Sequence, residues 1–139
     1  MPDSPSPALL APCGMNCLVC YRRCAHKKPC AGCLDGDVNK PEHCRRCALR
    51  ACAGRRGHTH CFACAEFPCA PIRRLDGNYR RRYGVSLIEN GKFASARGIS
   101  ALMERDRAAY RCPVCGGVIS LHDAACGECG RPAARDAEP

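Results

Sequence analysis

The sequence predicts a small metal-stabilised, Cys-rich protein: irregular knuckles and short helices, a helical middle segment, and a C-terminal β zinc ribbon. Three observations predict this fold class. The chain of 139 residues contains 16 cysteines, and twelve of these form six C-x-x-C pairs. Leu, Ile, Val and Phe together number 21 residues, about 15% of the chain, below the roughly 20% under which a chain tends not to fold on apolar burial alone. Bonds to cysteine sulfur are therefore expected to replace a large core.

The cysteine pairs favour metal binding over disulfides. Two residues between cysteines let both sulfurs point at one ion about 2.3 Å away. The N-terminus lacks the basic start and apolar run of a signal peptide, and no stretch is apolar enough to span a membrane. We therefore expect a cytoplasmic protein, without a membrane partner, whose thiols stay reduced and bind about four structural Zn²⁺ ions.

The composition divides the chain into five segments. Residues 1–12 are Pro-rich and expected to be disordered, and residues 13–69 form a Cys-rich metal-binding domain. Residues 70–111 contain no cysteine and form a basic helical segment. Residues 112–130 are expected to be a separate zinc ribbon, followed by a disordered tail at 131–139.

The Cys-rich block, residues 13–69, offers enough thiols for three four-ligand sites, although spacing does not say which thiols share an ion. Cys44-x2-Cys47-x4-Cys52 repeats the spacing of Cys61-x2-Cys64-x4-Cys69. The twelve candidate ligands are Cys13, Cys17, Cys20, Cys24, Cys30, Cys33, Cys44, Cys47, Cys52, Cys61, Cys64 and Cys69.

An iron–sulfur cluster is the alternative occupant of this block. Four-cysteine spacings do not separate zinc from iron–sulfur sites, so a [4Fe–4S] cluster in residues 13–69 would make the protein an electron carrier or redox sensor. Cys13-x3-Cys17-x2-Cys20 also matches the cluster motif of radical S-adenosylmethionine enzymes, but those enzymes need a large barrel that this chain is too short to form.

The basic helical segment carries its own helix signals. Pro71 suits the first turn of a helix, whose apolar stripe contains Ile72 and Leu75, together with Tyr79 and Tyr83. Gly84 is expected to end that helix. Ser86-x-x-Glu89 has the form of a capping box before a second helix, and a third is expected from about Gly98 to Tyr110.

Charge is concentrated in the same segment. The formal net charge is +9, but sixteen thiolates and four divalent ions together contribute −8 and leave about +1. Residues 70–111 keep a charge of +6. Their arginines are interpreted either as a solvated helix face or as a nucleic-acid contact; the candidates are Arg73, Arg74, Arg80, Arg81 and Arg82.

The C-terminal motif predicts one closed metal site. Cys112-x2-Cys115 and Cys126-x2-Cys129 are joined by ten residues, with Gly116-Gly117 for the turn and a strand from Val118 to Leu121. Four thiolates leave no open position for water, so catalysis there is not expected. Without a recognisable nucleophile–base set or phosphate loop, we expect a non-enzymatic interaction or adaptor module for protein or nucleic acid.

Several cysteine motifs resemble a known family. The resemblance is to the bacterial and archaeal Cys-rich domain of unknown function thirty-seven ninety-five, extends from residue 13 to about 75, and implies metal binding without implying an activity. Cys24 is not part of that family's pattern. The motifs that carry the resemblance are Cys13-Gly14-Met15-Asn16-Cys17-x2-Cys20, Cys30-x2-Cys33, His43-Cys44-x2-Cys47, Cys52 and Cys61-x2-Cys64-x-Glu66-Phe67-Pro68-Cys69.

Overall fold

The regular structure is mostly helical, with one small sheet near the C-terminus. The computed structural model describes residues 1–24, 27–34 and 36–133. The elements within this range are α1 Tyr21–Cys24, α2 Glu42–Arg45, α3 Ala48–Arg55, α4 Ala70–Tyr83, α5 Leu87–Arg97, α6 Ile99–Ala109, β1 Ile119–Ser120 and β2 Ala125–Cys126. Single 3₁₀ turns at Pro7–Leu9, Cys17–Val19 and Cys61–Ala63 complete the fold.

The three helices of the basic segment confirm the capping and stop signals of the sequence. Helix α4 carries a proline in its first turn and ends at Gly84, whose φ of 69° is left-handed and suits glycine. The Ser86 hydroxyl accepts a hydrogen bond of 3.1 Å from the Glu89 amide, which caps α5. Helix α6 follows directly after Gly98, at the predicted place.

The structure differs from the sequence-based expectation at residues 1–12. Leu9, Leu10 and Ala11 are buried in the same core cluster as residues of α5 and α6. The N-terminal amine donates to the Gly116 carbonyl at 2.9 Å, and Arg107 Nε donates to the Pro2 carbonyl at 2.9 Å. The prolines suggested disorder, but the apolar residues that follow them supply part of the small core.

A buried polar network joins the start of the Cys-rich block to α5 and α6. Asn16 Nδ2 donates to Asp106 Oδ2 at 3.1 Å, and Arg105 donates both to Asp106 Oδ1 and to Asn90 Oδ1. Asn90 in turn donates to the Gly14 carbonyl at 3.0 Å. Buried polar groups are costly unless paired, so this network specifies how the first cysteine motif docks on the helices.

Gly14 is required by that docking. Its φ is +98°, and a Cβ there would lie 2.7 Å from the Leu87 carbonyl oxygen. A side chain would push α5 away from the loop that carries the first cysteines.

The sequence suggested that residues 112–130 form a separate ribbon. In the structure the ribbon is docked against the rest of the chain. Its antiparallel strands pair Ile119 with Cys126 and Ser120 with Ala125. The Leu121 amide donates to the Val19 carbonyl at 2.9 Å. Val118 and Leu121 also pack against the apolar core. Length and spacing alone suggested an independent unit because these docking contacts join residues far apart in the sequence.

His122 connects the ribbon to two other elements. Its Nδ1 accepts a hydrogen bond of 3.3 Å from the Tyr21 amide, and its Nε2 lies 2.9 Å from the Tyr79 hydroxyl. The Tyr83 ring meets the imidazole edge-on at 4.9 Å. Tyr79 and Tyr83 are therefore half-buried against the ribbon, which extends their predicted role on the apolar face of α4.

The expected tail is partly ordered. The Ala133 amide donates to the Ala124 carbonyl at 2.8 Å, and the Arg131 carbonyl accepts from the Cys126 amide. These bonds extend the pairing of the ribbon hairpin beyond residue 130. Residues 134–139 lie outside the described part of the chain.

Within the residues that the structure describes, the helices are all too short or too polar to cross a lipid bilayer.

Candidate metal centre

The ribbon gathers four thiols into one compact group. The Sγ atoms of Cys112, Cys115, Cys126 and Cys129 all lie within 4.8 Å of one another. Two of the separations are 3.8 Å, between Cys112 and Cys129, and 3.5 Å, between Cys115 and Cys126. A tetrahedral Zn²⁺ site with Zn–S bonds of about 2.3 Å places its sulfurs about 3.8 Å apart. The four thiols therefore fit a single tetrahedral ion, and the predicted C-terminal cluster is confirmed.

Backbone amides favour the ionised form of these sulfurs. The Gly117 amide points at Cys115 Sγ and the Glu128 amide at Cys126 Sγ, each at 3.4 Å. Amides of Cys115 and Val114 lower the pKa of Cys112 to about 6. The amides of Cys129 and Glu128 likewise lower the pKa of Cys126. A thiolate is the form that binds metal, so the knuckle geometry prepares the ligands.

Cys115 shows why four ionised sulfurs need a cation. The Gly117 amide favours its thiolate, but hydrogen bonds to neighbouring cysteines and burial outweigh that effect and raise the pKa to about 12. Cys115 thus keeps its proton while no positive charge lies between the sulfurs. A divalent cation removes this conflict, because it replaces the shared protons.

The sequence predicted three groups of four ligands in the Cys-rich block, and nine of its twelve thiols line two cavities in the structure. The first set, here called the Cys17 group, surrounds a small cavity of about 30 Å³. The Cys33 amide donates to Cys17 Sγ at 3.4 Å. A hydrogen bond from Cys17, followed by the charges of Lys40 and Arg50, lowers the pKa of Cys33 to about 7. The members of the Cys17 group are Cys17, Cys20, Cys30, Cys33 and Cys44.

The second set, the Cys52 group, consists of Cys52, Cys61, Cys64 and Cys69. All four line one cavity of about 320 Å³. The Cys61 thiol interacts electrostatically with the thiols of Cys69 and Cys52, and then with those of Cys47 and Cys64. Helix α3 supplies Cys52, and the 3₁₀ turn Cys61–Ala63 begins the knuckle that supplies Cys61 and Cys64.

Helix α5 positions that knuckle. A Cβ on Gly91 would lie 2.9 Å from Phe67 Cζ and 3.1 Å from Phe62 Cβ, so glycine allows the chain after Cys61 to pack directly on the helix. The Cys61 amide also donates to the Pro12 carbonyl at 2.8 Å. The knuckle is thereby held between α5 and the N-terminal segment.

Three predicted ligands lie outside these two groups. Cys13 and Cys47 lie between them, because Cys13 interacts with Cys33, Cys47 and Cys61. Burial raises the pKa of Cys13 to about 12. Cys24 faces the ribbon: its thiol donates to the Leu18 carbonyl at 3.3 Å, and a Cβ on Gly127 would collide with its carbonyl.

The arginines of α4 are all exposed, and some have partners within the chain. Arg80 forms an ion pair of 2.7 Å with Asp76 and donates to Ser86, and Arg73 donates to the Pro68 carbonyl at 2.7 Å. Arg82 lies over the Tyr83 ring at 5.2 Å. Arg74 and Arg81 are two turns apart on one face of the helix.

Sequence reasoning did not identify two features of this arrangement. His122 gave no signal, because a single histidine in a hairpin has no diagnostic spacing. Asp106 lies in a run of charged residues, Glu104 to Arg107, that reads as a solvated helix face, although the Asp106 side chain is buried.

The comparison with protein families confirms the resemblance predicted from the cysteine motifs. Residues 9–74 match the family model described as "Protein of unknown function (DUF3795)". The matched range contains the Cys17 and Cys52 groups but ends before the ribbon. No curated protein and no solved structure matches the chain.

Proposed function

We propose that this protein, a Cys-rich domain of the DUF3795 type followed by a metal-binding ribbon, is a zinc-dependent, non-enzymatic interaction module. The observation that supports the proposal is the compact group of four ribbon sulfurs, all within 4.8 Å of one another. Zinc is the ion that such closed tetrahedral thiolate shells hold most often. All sixteen thiols are free of disulfides, which suits a reducing compartment such as the cytoplasm.

The proposed role of the zinc is to hold the fold. Four thiolates complete its coordination, so no position is left for a water or a substrate. A structural Zn²⁺ contributes an apparent binding free energy of roughly 10–16 kcal/mol, which is folding free energy when the site exists only in the folded chain. The contribution of one such ion is comparable to the usual free energy of unfolding of a whole domain, about 5–15 kcal/mol.

Metal analysis of the two exposed ligands tests this assignment. The Cys115→Ala/Cys129→Ala variant should contain one zinc fewer per chain than the wild-type protein, because half the coordination shell is lost. The matched control is Cys24→Ala, which removes a thiol that the structure places outside the ribbon group. Equal zinc content in the wild type and the double variant would contradict the proposal.

The exposed face of α4 is the proposed contact surface for a partner. Arg74 and Arg81 project from one side of that helix, and the segment around them keeps its positive charge after metal binding. An acidic protein surface or the phosphates of a nucleic acid would match this charge. The half-buried positions of Tyr79 and Tyr83 against His122 favour contacts to phosphate or carboxylate over stacking on bases.

The salt dependence of oligonucleotide binding tests whether α4 contacts nucleic acid. With a random-sequence single-stranded oligonucleotide as the probe, affinity should fall steeply with salt, and Arg74→Ala/Arg81→Ala should reduce both the affinity and the slope. Lys27→Ala/Lys28→Ala removes the same charge elsewhere on the surface and should have a smaller effect. Binding that is unchanged in the arginine variant would exclude α4 as the contact surface for nucleic acid.

A further inference from the structure

We propose that the Cys52 group holds a [4Fe–4S] cluster, whereas the ribbon holds a single zinc. This inference deepens the proposed function and rests on it in one respect. The zinc-dependent function and the cluster both require that the thiols bind metal. It gives two sites of the chain different metals and names four ligands, Cys52, Cys61, Cys64 and Cys69, for the cluster.

The first argument is the separation of the sulfurs. Among the residues that the structure describes, the ribbon supplies the one group of three or more candidate ligands within 4.8 Å of each other. The four residues of the Cys52 group line one cavity, but no three of their sulfurs all lie within 4.8 Å of one another. Ligands to one zinc must be about 3.8 Å apart, whereas cluster ligands are several ångströms further apart because the iron and sulfide atoms lie between them.

The second argument is the space that the sulfurs enclose. The cavity of the Cys52 group has a volume of about 320 Å³, and that of the Cys17 group has about 30 Å³. A volume of roughly 10–15 Å³ accommodates one water-sized particle. The smaller cavity therefore has no room for a cofactor of several atoms, whereas the larger one can accommodate such a cofactor.

The third argument is the lining of the larger cavity. Leu49, Ala53, Phe67 and Pro71 supply apolar surface around the thiols. Iron–sulfur clusters are bound by cysteine thiolates, and the apolar shell around them limits solvent access and tunes their reduction potential.

The fourth argument is a positive charge directed at the ligands. Arg56 Nη1 donates to Cys64 Sγ at 3.8 Å, and the guanidinium charge also interacts electrostatically with the Cys52 thiol. Glu66 holds the guanidinium in place through an ion pair of 2.8 Å. Hydrogen bonds and positive charge at the ligand sulfurs stabilise the more negative, reduced cluster, so Arg56 is a positioning and tuning residue for this site.

The test is a metal analysis of the full chain, purified without oxygen and reconstituted with ferrous iron and sulfide. We expect about four irons and four acid-labile sulfides per chain, with visible absorption that bleaches on addition of dithionite. Cys64→Ala/Cys69→Ala should lose the iron and keep the ribbon zinc. Cys115→Ala/Cys129→Ala should lose the ribbon zinc and keep the iron.

The outcomes distinguish the two proposals. Ribbon zinc without any iron would overturn the cluster and leave the zinc-dependent function standing, whereas iron without ribbon zinc would overturn the proposed function alone. Iron that persists in Cys64→Ala/Cys69→Ala would overturn the ligand assignment.

A second variant keeps the test decisive if the double variant does not fold. Arg56 is half exposed, and its replacement should leave the fold intact. Arg56→Gln should lower the midpoint potential of the cluster, and Arg56→Lys, which keeps the charge, should change it less. Identical potentials in the wild type and Arg56→Gln would place the cluster away from these cysteines and overturn the proposal.

Discussion

The ribbon and the Cys-rich block use the same C-x-x-C unit but assemble it in different ways. In the ribbon, one hairpin brings two pairs together and the four sulfurs lie within 4.8 Å. In the block, pairs from helices, turns and loops surround two cavities that differ about tenfold in volume. The spacing of a pair therefore determines its local conformation, whereas the tertiary fold determines which pairs meet and how much space they enclose.

The largest expected effect is the difference in stability lost when a metal-ligating thiol and a non-ligating thiol are removed. Cys126 is buried within the ribbon group, and Cys126→Ala should remove the zinc and unfold the ribbon, with a loss of several kcal/mol because metal binding is folding free energy here. Cys24→Ala removes one hydrogen bond to the Leu18 carbonyl and should cost about 1 kcal/mol or less. Urea unfolding with parallel metal analysis measures both.

Comparable losses of metal in the two variants would show that Cys24 is also a ligand. The division of the chain into distinct sulfur groups would then need revision.

Apolar burial is the next contribution to compare with metal binding. Leu10, in the N-terminal segment, is fully buried (0% exposed) in the core cluster that also contains residues of α5 and α6. Leu10→Ala should destabilise the protein by about 2–5 kcal/mol, because a cavity remains where the side chain packed. Val38→Ala, at a position that is 69% exposed, should have almost no effect. A small effect at Leu10, measured by thermal unfolding, would indicate that the N-terminal segment does not belong to the core.

The polar network between the block and the helices is expected to matter less than Leu10. Asp106→Asn would replace one carboxylate oxygen, which now accepts a hydrogen bond from Asn16 or Arg105, with an amide NH2 group. That donor would then face the donor of Asn16 or Arg105. We expect a loss of about 1–3 kcal/mol in the free energy of unfolding. Asp3→Asn breaks an exposed ion pair of 3.4 Å with Arg107 and should be nearly neutral. Equal effects would mean that the network does not specify the docking.

The smallest effect is a pH dependence of ribbon docking through His122. Because Nδ1 accepts from the Tyr21 amide, the neutral ring donates from Nε2 to Tyr79, and protonation would set a donor against a donor. Burial lowers the pKa of His122; the charge of Asp123 opposes this shift and that of Arg82 adds to it. The unfolded chain then binds the proton more readily, so stability should be complete above the unfolded pKa of about 6.5 and decrease as the pH falls below it.

Unfolding measured between pH 7.5 and 5.5 tests this contribution. His122→Phe should flatten the slope relative to the wild type, whereas His43→Gln, at an exposed position, should leave it unchanged. An unaltered slope in His122→Phe would show that the imidazole does not link ribbon docking to pH.

The sequence was sufficient for features that depend on neighbouring residues. Pro71, Gly84 and the Ser86 cap defined the ends of helices because capping is a local interaction. The ribbon cluster was also predictable, because its pairs are joined by a single short hairpin. The groups in the Cys-rich block were not, since twelve similar thiols allow many pairings and tertiary packing selects among them.

Burial of Leu9 and Leu10 was likewise obscured, because their Pro-rich surroundings resemble a disordered segment. Asp106 gave no sign of its role, since its partner Asn16 lies 90 positions away. Non-local contacts of this kind leave no periodicity in a single sequence.

The most direct test of the account is to remove the bound metals from the full chain with a strong chelator and record the far-UV spectrum and melting curve. If thiolate–metal bonds replace a large core, the helical signal and the melting transition should be largely lost, and both should return when zinc, ferrous iron and sulfide are restored without oxygen. An unchanged spectrum and an unchanged melting temperature after complete removal of metal would contradict the account.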